Sequence, residues 1–83
     1  MNIEELKSYL SNECDRVLSA SKNINLSESD FRSYLEEPLI NFNEKFKGSN
    51  TTVDFQEKLK SEIKVIMANF TKELTKIYLS QSL

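Results

Sequence analysis

The sequence predicts an all-α fold, a small three-helix bundle in up-down-up order. Three observations carry this. Apolar residues recur every three or four positions in three successive segments, which is the spacing of one helix face. The 83 residues include one glycine and one proline. Sandwiches and barrels need turn residues about every eight to twelve positions, and this chain cannot supply them. The connections near 23–27 and 48–51 are short, which favours antiparallel neighbours. Residues 1–83 are expected to form a single domain.

The first helix is expected over about 3–22. Ile3, Leu6, Leu10, Cys14 and Val17 fall on one face, Leu18 widens it, and Tyr9 lies well off it. Asn2 can cap the start, with Glu5 three residues on in a capping-box position. Glu4 and Glu5 suit the positive end of the helix dipole, and Lys22 suits the negative end.

The second helix is expected over about 28–47. Its start is the clearest local signal in the chain. Ser27 stands at the N-cap, Asp30 is its capping-box partner, and Leu26 and Phe31 occupy the two positions of a hydrophobic staple. The stripe Phe31, Leu35, Leu39, Phe42 and Phe46 follows, and Gly48 supplies a stop. Pro38 interrupts it. A proline inside a helix removes one hydrogen bond and clashes with the preceding turn, at about 3 kcal/mol or more. The helix therefore either kinks and continues, or ends near Glu37 and restarts at Pro38. The stripe keeps its phase across Pro38, which favours the kink.

The third helix is expected over about 52–79, with Thr51 or Thr52 as cap and Asp54 in the first turn. Its stripe is Phe55, Leu59, Ile63, Ile66, Phe70, Leu74 and Ile77. At a rise of about 1.5 Å per residue it reaches ~40 Å, against ~30 Å for the other two. Its partners cannot cover it fully.

A chain this short buries a thin core and commonly needs a staple: disulfides, a metal, tight helix packing or a partner. One cysteine and no histidine leave no disulfide and no zinc-ligand set. No metal or cofactor is expected, so helix packing and association remain. The net charge of −2 and 29% charged residues suit a soluble protein. No apolar run approaches the ~18–20 residues of a membrane span. The acidic start Met1-Asn2-Ile3-Glu4-Glu5 lacks the pattern of a signal peptide. A cytoplasmic location is expected, with no membrane partner. Without a secretion signal, the sequon matches at Asn50 and Asn69 are read as chance. Lysine outnumbers arginine nine to two and alanine is scarce, a bias common in AT-rich bacterial, plasmid and phage genes.

The same residues argue against an enzyme. Acyl transfer by serine or cysteine normally needs a base beside the nucleophile, and histidine, the usual one, is absent. Cys14 falls on an apolar stripe and reads as a buried structural thiol. Glu4-Glu5 and Glu36-Glu37 are adjacent helical residues pointing about 100° apart, so neither is an acid/base couple. No small-molecule substrate is expected. Residues 1–37 carry a net charge of −4 and residues 38–83 a net +2. Lys58, Lys72 and Lys76 line one flank of the third helix, but Glu62 and Glu73 border it, so nucleic-acid binding ranks last.

Binding to a protein is the expectation that remains. Several apolar side chains fall outside the three stripes: Tyr9 on the first helix, Tyr34 and Ile40 on the second, and Val65, Met67 and Tyr78 on the third. The run from Ile63 to Phe70 is apolar on more than one face. The first expectation is a small stoichiometric inhibitor, immunity factor or regulator that covers a partner's surface. The alternative is a self-associating structural or assembly component, such as a helical subunit or secretion chaperone, with a second copy as its partner.

Overall fold

The fold is described from a computed structural model, over residues 2–47 and 52–81. Helices α1 (Ile3–Lys22), α2 (Glu28–Lys45) and α3 (Val53–Gln81) account for it, with no strand among the described residues. Each start uses the cap that its sequence offers. The Asn2 side chain accepts from the Glu5 N–H at 2.9 Å. At α2 the reciprocal box is complete: Ser27 Oγ accepts from the Asp30 N–H at 3.0 Å, and Asp30 accepts from the Ser27 N–H at 3.4 Å. Leu26, just before this cap, is buried in the core, and Phe31 is half-buried against that core. At α3, Thr52 takes the role, its Oγ1 accepting from the Phe55 N–H at 3.2 Å; Thr51, the other expected cap, lies outside the described residues.

Pro38 lies inside one continuous α2 and is buried, so the helix does not end at Glu37. The far end of α2 comes at Lys45, earlier than the expected 47. Phe46 leaves helical geometry there (φ −109°, ψ 18°) and sets its ring edge-on to Tyr9, at 5.3 Å between centroids. Gly48, the expected stop, lies outside the described residues. α3 runs two residues past the expected 79, because the side chain of Gln81 is bound to the α1–α2 connection. It accepts from the Leu26 N–H at 2.7 Å and donates to the Ile24 carbonyl at 2.8 Å and the Ser21 carbonyl at 3.3 Å.

Cross-helix contacts give the topology. Lys7 meets Glu62 at one end of α1 and Ser21 meets Gln81 at the other, so α1 and α3 run parallel. Arg16 meets Glu37, Tyr9 meets Phe46, and Phe31 meets Tyr78, so α2 runs antiparallel to both. This is the up-down-up bundle. Leu6, Leu10, Cys14 and Val17 of α1, Leu26, Phe42 of α2, and Phe70 and Leu74 of α3 form the buried core. Burying a large aliphatic or aromatic side chain contributes about 1.5–3 kcal/mol. α1 supplies half of this core because it packs on both other helices, while α2 and α3 touch each other least.

Candidate interaction surface

The six apolar residues singled out as partner contacts do not gather into one site. Four of them serve the packing. Tyr9 is half-buried against Phe46 and Phe42. Tyr78 stacks on Phe31 at 4.5 Å with the rings 17° from parallel. Tyr34 and Met67 are half-buried against the core. The other two are open: Val65 is 60% exposed and Ile40 is 53% exposed. They stand on different helices. Ile40 lies on the outer side of α2, with Glu36 and Glu44 one turn away on either side.

Val65 has better company. Where α1 and α3 run side by side, the face turned away from α2 carries a shallow groove of about 220 Å³. Its apolar lining is Cys14 and Leu18 from α1 with Ile66 and Phe70 from α3, and Asp15 and Glu73 stand on it from opposite sides. Asn69 lines it as well. Val65 lies four residues before Asn69, about 40° round the helix, and so extends this surface by one turn. Leu18 and Ile66 are half-buried here. The sequence placed both on core stripes. The pairing of α1 with α3 leaves one edge of each uncovered.

Charge is arranged along this face. Near the start of α1, Lys7 bridges Glu62 at 3.3 Å and Glu4 at 3.7 Å. The Lys7 ammonium is held above the usual lysine range, chiefly by its hydrogen bond to Glu62 and the charge of Glu4. Near the far end stand Lys22 and Lys76, the latter 3.5 Å from Glu73. On the opposite side of α1, Arg16 ties Glu13 (2.8 Å) to Glu37 of α2 (3.1 Å). The hydrogen bonds from Arg16 and Asn41 hold the Glu13 carboxyl below the usual carboxylate range against the cost of its partial burial.

Among the described residues, no cluster of three or more metal-ligating side chains occurs. No described helix is long and apolar enough to cross a membrane. Exposed apolar residues that the sequence did not single out are Ile24, Val53 and Leu79. Ile24 and Leu79 lie toward the end of the bundle that Gln81 closes. Comparison with protein-family models, with curated proteins and with solved structures finds no match.

Proposed function

We propose that this chain is a non-catalytic protein-binding module, a small stoichiometric inhibitor, immunity factor or regulator, which works by covering the surface of a partner protein. The observation that carries the reading is the α1/α3 face: an apolar-lined groove continued by Val65, the most exposed apolar side chain of the mid-helix segments. A partner helix laid there has an apolar floor to bury and a polar rim to bind, the arrangement of helix-in-groove recognition. The chemistry of the chain agrees with it. There is no histidine to act as base. Burial, with the nearby charges of Asp15 and Glu13, pushes the Cys14 thiol up to about 11, opposite to the shift that activates a nucleophile.

The test is capture from the source cell with the full chain as bait, in parallel with Val65→Glu and Ile40→Glu. A partner retained by the native chain and by Ile40→Glu, but lost from Val65→Glu, supports the reading. A partner retained equally by all three removes this face from the interaction, and no retained partner at all removes the function.

A further inference from the structure

We infer that the groove between α1 and α3 receives an arginine side chain of the partner protein, its aliphatic stem along the groove floor and its guanidinium between the carboxylates of Asp15 and Glu73. This rests on the function proposed above and names the chemistry that the partner presents. Pockets for drug-sized ligands run from about 300 to 1,000 Å³. At about 220 Å³ this groove is sized for a single side chain. The lining selects its kind. Cys14, Leu18, Ile66 and Phe70 give an apolar floor. The charged residues of the lining, Asp15 and Glu73, are both acids, one from each helix. An apolar floor between two carboxylates matches a side chain with an apolar stem and a cationic head. Leucine would cover the floor but would strip water from the carboxylates without giving them a partner. Arginine meets the requirement better than lysine, because its planar guanidinium carries five donors in a fixed fork and can serve two carboxylates at once.

The chain itself leaves both acids available. Asp15 is exposed and makes no ion pair among the described residues. Lys22, the next base along its side of α1, lies seven residues on, about 10 Å along the helix. Lys7, at the other end of the face, is taken up by Glu62 and Glu4. Glu73 meets Lys76 at 3.5 Å, but both side chains are open to solvent, and an exposed pair of this kind is worth little and yields to a better partner. The charge of Asp15 also reaches the floor, where, after burial, it helps to push the Cys14 thiol up to about 11. Val65 adds a second requirement. It stands four residues before Asn69, about 6 Å along α3. A partner helix lying along the groove therefore presents an apolar residue three or four positions from its arginine, on the same face.

The probe is a helical peptide of about 20 residues, rich in alanine and glutamine. It carries one arginine at its centre and one leucine four positions on. Its twin has citrulline, the neutral isostere, in place of the arginine. Each is titrated into the purified, isotope-labelled full chain and followed by NMR. The amides of Asp15, Leu18, Asn69 and Glu73 should shift, and those around Ile40 on α2 should not. The arginine peptide should bind about tenfold tighter than its twin, or more. In the double variant Asp15→Asn, Glu73→Gln, changed at two exposed positions, the two peptides should bind alike. Equal binding of both peptides to the native chain overturns the inference. So does binding of neither at millimolar concentration, or arginine binding centred on Glu36 and Glu44 of α2. This outcome is separable from that of the capture experiment. A captured partner that Val65→Glu loses but the double variant keeps at native strength leaves the proposed function standing and removes the arginine.

Discussion

Cys14 shows how a single position takes its chemistry from its surroundings. Its thiol is 4% exposed beneath the α1/α3 groove. Loss of water, then the charges of Asp15 and Glu13, disfavour the thiolate and push its pKa up to about 11. The unfolded thiol ionises near 8.5. Between these values the unfolded chain gives up the proton first. Stability from this group is complete below the lower value and is lost as pH rises through the upper one. Unfolding in urea from about pH 8 to about pH 11 should therefore show a steeper fall for the native chain than for Cys14→Ala. Lysine and tyrosine titrations are common to both and cancel in the comparison. Equal slopes would show that the thiol is not desolvated.

Tyr78 and Val65 differ at this scale although both looked outward in sequence. The Tyr78 ring lies on Phe31 and joins α3 to α2. Tyr78→Glu should cost about 2 kcal/mol or more, the loss of an aromatic contact plus a carboxylate brought against apolar surface. Val65→Glu should stay within about 0.5 kcal/mol, as surface changes usually do. The two urea midpoints decide it, and similar losses for both would place Val65 in the core.

At the scale of the element, each helix is held by what stands at its ends. The caps at Asn2, Ser27 and Thr52 are local and were readable from residue type and spacing. Gln81 is different. Its side chain binds the Leu26 N–H, the Ile24 carbonyl and the Ser21 carbonyl, more than fifty positions away, and so ties the last turn of α3 to the end of α1 and the connection that follows. Gln81→Ala leaves the partly buried Leu26 N–H without its acceptor and should cost about 1–3 kcal/mol. Gln81→Glu keeps that acceptor but sets a carboxylate oxygen against the Ile24 and Ser21 carbonyls, so its urea midpoint should also fall below that of the native chain. If Gln81→Ala matches the native chain, water replaces the side chain without loss. Pro38 is the element-scale exception to local rules. Having no N–H to donate, it would break an isolated helix. Here it is buried in the bundle, and packing holds α2 continuous through it.

For the whole molecule, the unequal sharing of the core sets the order of opening. α1 sits between the other two helices, whereas α2 and α3 touch each other least. α2 contributes Phe42 and Pro38 as its buried residues and leans on α1 through the Arg16–Glu37 pair, an exposed link worth little by itself. In native-state hydrogen exchange, α2 should open at lower free energy than α1 and α3. Mid-helix α2 amides that exchange only with global unfolding would contradict this.

The sequence by itself determined the helices, their starts and the residues that line their stripes, because caps and 3.6-residue periodicity act over a few neighbouring positions. Leu6, Leu10, Cys14, Val17, Phe42, Phe70 and Leu74 were all on predicted stripes and are all buried. It could not separate Val65 from Tyr78, or show that Leu18 and Ile66 keep an open edge. Angular position on one helix says which way a side chain points, not whether another helix stands there. Only the tertiary structure decided that. Three helices leave one side of the α1/α3 pair without a neighbour, and the register between those two helices sets Lys7 of one against Glu62 of the other.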